Sequence, residues 1–346
     1  MKQLLTLIAA VMLLSITACA KQQTKQGATQ MQLTPDYGNK PSYRLHIEGF
    51  GDYIQVFFNG NRVFKDYSRS QVITVYPIND YVTTGENALK VRFFESKAHN
   101  FRLNPKGWFK VYLEISDAAG SWQRLGGIVY DAAAKAPLKN SAHEGYYTLE
   151  AGKGFKPVAL PSEAEVSKVK MEKQTILNTK KVNALNFTQT LTFPTPFPRW
   201  KFLDSEDIVG EEYFSYSLEE YEKLRQSPKM QKLYDAYEEI LSLISHGKYE
   251  KAVDHFDERI GEYAYAWRDT KDALKQSLIN KFRTLSNDPN YELVPLDRTK
   301  KYFFIEENRK LAYIPSAIKF KKKGVAFQRI FNAKFRWDGN RWILTR

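Results

Sequence analysis

Few side chains in this sequence stand in a pattern that chemistry requires. The histidines are His46, His99, His143, His246 and His255. A helical metal site needs ligands close together on one face. The nearest pair, His246 and His255, is set about two and a half turns apart. No His-Glu-x-x-His, Gly-x-Ser-x-Gly or phosphate-binding loop is present. Carboxylates gather at Glu238-Glu239 and at Asp254, Asp257 and Glu258. A carboxylate can orient an imidazole as a general base, so His255 beside Asp254 and Asp257 is the strongest catalytic candidate. These residues also fall on amphipathic helical patterns, where charge is ordinarily the solvated face, and that reading outweighs catalysis. No catalytic, cofactor-binding or metal-binding residue is therefore assigned, no cofactor is expected, and the chain reads as a non-enzyme.

The single cysteine, Cys19, is a different case. Met1-Lys2 is followed by an apolar stretch from Leu4 to Ile16 and then by Thr17-Ala18-Cys19. This is a short positive region, an apolar run too short to span a bilayer, and small residues before a cut. The segment Leu14-Ser15-Ile16-Thr17-Ala18-Cys19 resembles the lipobox of bacterial lipoproteins. That resemblance implies cleavage before Cys19 and its acylation, a membrane anchor that needs no spanning helix. Ala20-Lys21 after the cysteine, with no Asp, implies sorting to the outer membrane with the body in the periplasm. Acylation would leave no thiol for disulfides or thiol catalysis. The polar, Gln-rich stretch that follows reads as a flexible tether; about 20 residues of coil reach roughly 25 Å.

Charge is segregated. The net +13 divides into +11 over residues 1–203, −9 over 204–263, balance over 264–297 and +11 over 298–346. Export makes nucleic acid an unsuitable partner for the basic end. Anionic headgroups and an acidic protein remain, against the plainer reading that the cations protect strand edges. Lys319, Lys321, Lys322 and Lys323 are the candidate interaction surface.

The elements that must position these groups are legible in the periodicity. The apolar fraction of 43% supports globular packing over more than one core. Residues 43–130 alternate in strand fashion, clearest in Phe109-Lys110-Val111-Tyr112-Leu113-Glu114-Ile115, and turn signals stand at Asn59-Gly60, Thr84-Gly85 and Pro105-Lys106-Gly107. They predict an antiparallel sandwich. Ile54 to Gly60, Val72 to Ile78 and Thr84-Gly85-Glu86-Asn87 to Val91 resemble the galactose-binding-like jelly-roll domains, a likeness of fold that carries no sugar site. Residues 182–193 read as a further strand, and Pro194 to Trp200 as a proline-braced connector packed on a seam.

Residues 217–286 read as helices. Ser217-Leu218-Glu219-Glu220 has the capping-box form, and Ser227-Pro228 marks a second start. Tyr249 to Ile260 reads as one helix, and Trp267, Leu274, Leu278, Phe282 and Leu285 as the face of the last. Strands return over 301–346 in a meander whose final hairpin, Phe335 to Trp342, resembles that of NTF2-like or cystatin-like domains. The fold class predicted is α+β multidomain: an N-terminal antiparallel β-sandwich, jelly-roll-like, then a helical and β-meander part. The expected boundaries are a signal peptide at 1–18, a lipidated tether at 19–40, the sandwich at 41–150, a linker and connecting strand at 151–215, and an α+β domain at 216–346, with helices at 217–286 and one antiparallel sheet at 301–346.

Phe256-Asp257-Glu258-Arg259-Ile260, Lys310 to Ile314 and Trp342 to Arg346 are similar to segments of periplasmic lipoproteins that act as immunity proteins against type VI secretion lipase effectors. That likeness implies a non-catalytic protein-binding module whose partner is a secreted toxin. The alternative is an envelope lipoprotein that binds carbohydrate or peptidoglycan through exposed aromatics on the sandwich.

Overall fold

The computed structural model describes residues 41–94, 104–116, 122–133, 146–149, 165–167, 170–177, 181–267, 269–299 and 301–346. The expected signal peptide, Cys19 and the tether lie outside them. The N-terminal part is built of strands β1 (Ser42–Phe50), β2 (Tyr53–Phe58), β3 (Asn61–Asp66), β4 (Val72–Pro77), β5 (Gly85–Phe94), β6 (Trp108–Ser116), β7 (Trp122–Asp131), β8 (Tyr146–Leu149), β9 (Glu165–Val166), β10 (Lys170–Leu177) and β11 (Lys181–Phe193). One sheet runs β4-β1-β6-β7-β8, and the other runs β10-β11-β5-β2-β3 with β9 on β11. Alternation turns Tyr43, Leu45 and Ile47 of β1 and Val111, Leu113 and Ile115 of β6 into one core with Val56, Phe58, Val91 and Phe187 of the second sheet. Phe93, Phe109, Tyr130 and Phe187 form an aromatic cluster at its centre, with Phe93 and Phe109 centroids 4.9 Å apart.

The turn motifs act together. Asn59 and Gly60 both have positive φ (50° and 72°), which suits the tight turn between β2 and β3. The Asn59 side chain donates to the Asn87 carboxamide oxygen at 3.0 Å and accepts from the Ala88 backbone at 2.8 Å. Asn87, fully buried, closes the Thr83 turn through its own amide. The expected strand over 182–193 is β11, but it is no passive connector: it pairs with β5 on one side and β10 on the other. Phe197 and Trp200 of the proline-braced segment are buried in the sandwich core, and the indole donates to the Val82 carbonyl at 2.7 Å.

Five α-helices follow among the described residues: α1 (Leu218–Gln226), α2 (Pro228–Ser245), α3 (Tyr249–Asp254), α4 (Asp257–Trp267) and α5 (Lys271–Asn287). The capping box closes α1, with Ser217 Oγ accepting from the Glu220 amide and Glu220 accepting from the Ser217 amide. Helix α2 buries Met230, Leu233, Tyr234, Tyr237, Ile240, Leu241 and Ile244 along one stripe. Gly247, at φ +71°, ends it with a bond from the Lys248 amide to the Leu243 carbonyl. The helix expected from Tyr249 to Ile260 is broken at His255-Phe256. There an i→i−3 bond from Phe256 to Val253 tightens the turn and sends Phe256 into the core. Trp267 ends α4 instead of starting the last helix, because Thr270 caps α5 by accepting from the Ala273 amide. No helix among the described residues is long and apolar enough to cross a membrane.

The C-terminal strands are β12 (Tyr291–Leu293), β13 (Phe304–Ile305), β14 (Ala312–Tyr313), β15 (Ile318–Lys322), β16 (Gln328–Phe331), β17 (Phe335–Trp337) and β18 (Trp342–Leu344). They make two antiparallel sheets, β12-β15-β16 and β13-β14-β17-β18, not the single sheet expected over 301–346. The break lies at Asn332-Ala333. Ala333 is buried and its carbonyl accepts from the Tyr237 hydroxyl, so β16 and β17 pass to different partners. The fold is α+β, with the N-terminal sandwich followed by helices and then strands.

All described residues lie in one compact unit, and two polar seams join its cores. At one, Gly60 lies so close to Asn308 that a Cβ there would stand 2.6 Å from it, Glu306 accepts from the Arg62 amide at 3.0 Å, and Glu307 pairs with Lys90 at 2.6 Å. At the other, Asn79 donates to the Ala266 carbonyl at 2.9 Å, and the Arg346 guanidinium donates to the Asp80 carbonyl at 2.7 Å and pairs with Glu262.

Candidate functional site

A cleft of about 800 Å³ opens where α2, the α3–α4 junction and the β17–β18 hairpin meet. Helix α2 contributes Lys232, Asp235, Ala236 and Glu239, the junction contributes Asp254, His255, Asp257 and Glu258, and the hairpin contributes Asn340, Arg341 and Trp342. The tight turn that breaks the helix is what places His255 and the following carboxylates on one wall. This cleft therefore gathers the residues that sequence marked as the strongest catalytic candidates.

Its carboxylates are met by side chains of the fold itself. Asp257 accepts from Lys271 and Lys275, each at 2.7 Å, and Lys275 also reaches Asp254 at 3.5 Å. The Lys271 hydrogen bond, reinforced by Lys275, holds the Asp257 carboxyl below its usual range. Glu258 takes a bidentate pair from Arg336, both arms at 2.7 Å. Burial pushes its carboxyl up, and Arg336 more than offsets that, leaving it below the ordinary value. Asp235 and Glu238 share Arg298 at 2.6 Å. His255 faces Glu239 of α2 at 3.7 Å, so the orienting partner read from sequence, Asp254 or Asp257, is occupied by α5. A general acid working near neutrality needs a carboxyl held high, and both shifted carboxyls on this wall are held low. No group of three or more His, Cys, Asp or Glu side chains could hold a metal among the described residues.

The other histidines are apart from it. His246 caps α2 through Nδ1 and the Ser242 carbonyl at 2.7 Å. His46 lies on the outer face of the first sheet between Glu48 and Glu114, at 3.2 and 3.4 Å. His99 and His143 lie outside the described residues. That outer face carries Trp122 and Tyr112, but Arg44 covers the first at 3.8 Å and Arg124 the second at 3.5 Å. The exposed Tyr67 meets Tyr53 at 72°, edge to face. No coplanar aromatic platform is formed by these four residues.

The lysine run is at the surface. Lys319 is half-buried on β15, and every residue from Lys321 to Ile330 is exposed. Among the described residues no ion pair joins Lys319, Lys321, Lys322 or Lys323 to a carboxylate. Sequence reasoning missed what accompanies them: Val325, Phe327 and Ile330 are 50, 45 and 46% exposed. It also missed Ile73 and Val75 on β4, the end strand of the first sheet among the described residues, of which Ile73 is 66% exposed. The signal was the alternation itself, but alternation does not say which face is wet. The exposed large aliphatic side chains among the described residues are Ile73, Val75, Leu218, Val325 and Ile330. Comparison of the chain with protein-family models, with curated proteins and with solved structures returns no match to any of the three.

Proposed function

We propose that the protein is a lipid-anchored, non-catalytic binding protein of the outer membrane, held at its periplasmic face through Cys19. The most specific form of this reading is an immunity protein that neutralises a secreted lipase-type toxin of the type VI system. The observation that carries it is the distribution of exposed apolar surface. Ile73 and Val75 are held out to solvent on β4, the end strand of its sheet among the described residues, where a partner can add backbone and side-chain contacts. The cleft, by contrast, has its carboxylates matched by cations. A lipase carries an apolar entrance for acyl chains, and an apolar strand edge is the kind of surface that can occlude one. The arginine-covered Trp122 and Tyr112 weigh against the carbohydrate-binding alternative.

The test is reconstitution with any lipase-type effector found encoded beside this chain. The reading predicts a stable complex and loss of the effector's lipase activity, both weakened by Ile73→Asp with Val75→Asp. Absence of a complex with any such effector removes the immunity assignment.

A further inference from the structure

The hairpin β15–β16 is a second apolar edge with a different character. From Asn308 to Trp337 the sequence holds nine Lys and Arg and no Asp or Glu. Four of the nine are matched elsewhere in the fold: Arg309 and Lys310 by Asp207, Lys334 by Glu306, and Arg336 by Glu258. The remaining five are Lys319, Lys321, Lys322, Lys323 and Arg329, all on this hairpin. Its tip turns at Gly324, φ +76°, where nothing lies within 4 Å of a Cβ position. The Lys322 amide closes the turn on the Phe327 carbonyl at 3.0 Å. Arg329 lies over the Phe327 ring at 4.7 Å, so the cation and the aromatic occupy one face.

Protection of a sheet edge does not account for this arrangement. Lysines guard an edge when they sit on the edge strand. Here β16 is the edge and β15 is interior. Four of the five cations are on β15 and the turn and only Arg329 is on the edge strand, while that strand and its approach expose Phe327 and Ile330. Apolar side chains at a projecting tip, ringed by cations on flexible stems, match the two layers of an anionic bilayer surface: acyl boundary within, phosphate outside.

We propose that this hairpin is a membrane-contact element that seats Val325 and Phe327 at the headgroup boundary of an anionic phospholipid surface, with Lys321, Lys322, Lys323 and Arg329 on the phosphates. The choice of a membrane over an acidic protein rests on the anchored reading, because a short tether keeps the body within reach of the bilayer. Contact would fix the orientation of the body and leave the β4 edge, on the other part of the fold, for a partner.

Cys19 is the only cysteine, so Cys19→Ser with Val325→Cys gives one labelling site for an environment-sensitive fluorophore. Vesicles of phosphatidylglycerol with phosphatidylethanolamine are titrated against it, with phosphatidylcholine vesicles in parallel. The expected result is a blue shift with the anionic vesicles only, and none for a label placed by Lys223→Cys on α1 in the same background. Adding Lys321→Glu, Lys322→Glu and Lys323→Glu removes three cations, and at about 1 kcal/mol each the partition falls by at least ~100-fold. No shift with anionic vesicles overturns the proposal. So does an equal shift with phosphatidylcholine, an equal shift at position 223, an unchanged partition after charge reversal, or a shift produced by an acidic protein partner and not by vesicles. The protein in this assay carries no lipid, so a failed hairpin is told apart from a failed anchor.

Discussion

Arg346 holds the second seam, and its removal gives the sharpest test of how the parts are joined. Its side chain is 2% exposed. The guanidinium pairs with Glu262, donates to the Asp80 carbonyl at 2.7 Å and lies over Phe202 at 4.3 Å and Trp200 at 5.4 Å. Arg346→Ala would leave Glu262 without its buried cation and open a void against two rings. Removing one partner of a buried pair costs about 3–5 kcal/mol. With an entropy of unfolding near 2.1 cal/mol/K per residue over roughly 300 residues, that lowers Tm by about 5–8 °C if the unit unfolds as one. Burial raises the Asp80 carboxyl and Arg346 is the main force against that, so the loss adds to the strain there. Arg346→Met with Glu262→Gln removes both charges and keeps volume, and should recover most of the loss. Urea unfolding followed by tryptophan fluorescence reads the effect, since Trp200 lies in the seam. A loss below about 1 kcal/mol for Arg346→Ala would refute the view that a desolvated ion pair closes this seam.

Three further outcomes are expected. Glu258 has a depressed carboxyl in the folded state, so its contribution is present above the unfolded value and lost as pH falls through the folded one. Acid unfolding below about pH 4.5 should therefore flatten in Glu258→Gln, measured as midpoint against pH. Ser217→Ala opens the capping box and costs about 1 kcal/mol, with faster amide exchange confined to the start of α1. Gly60→Ala forces a side chain at φ +72° against the Asn308 backbone at 2.8 Å; strain and overpacking together cost about 2–4 kcal/mol, read by thermal unfolding.

What was legible in the sequence was local. Period-2 alternation in β1 and β6, the Asn59-Gly60 turn and the stripe of α2 each encode their own geometry within a few residues, and the structure has all of them. The helix break at His255-Phe256 was not legible, because Tyr249, Ala252, Val253, Phe256 and Ile260 keep helical spacing through it. Only the burial of Phe256 and the shorter bond to Val253 reveal it. The division of the last strands depended on a tertiary contact, from the Tyr237 hydroxyl to the Ala333 carbonyl. The seam lay further still from local pattern: Arg346 and Asp80 are 266 positions apart. In the candidate cleft the residue types were visible, yet the pairing of Asp254 and Asp257 with α5 was not, and that pairing decides what His255 can do. The lysine run was visible as charge; its apolar companions needed the hairpin's outward projection to acquire meaning.

The central claim is that the chain works while held at a membrane by Cys19. It is tested most directly by fractionating cells that produce the wild type or Cys19→Ser, washing membranes in high salt to screen the hairpin's cations, and measuring the intact mass of the extracted protein. The account predicts wild type in the washed membranes with acyl mass on Cys19, and the variant released to the soluble fraction. Wild type without lipid on Cys19, or a variant that stays in the washed membranes as fully as wild type, would contradict it.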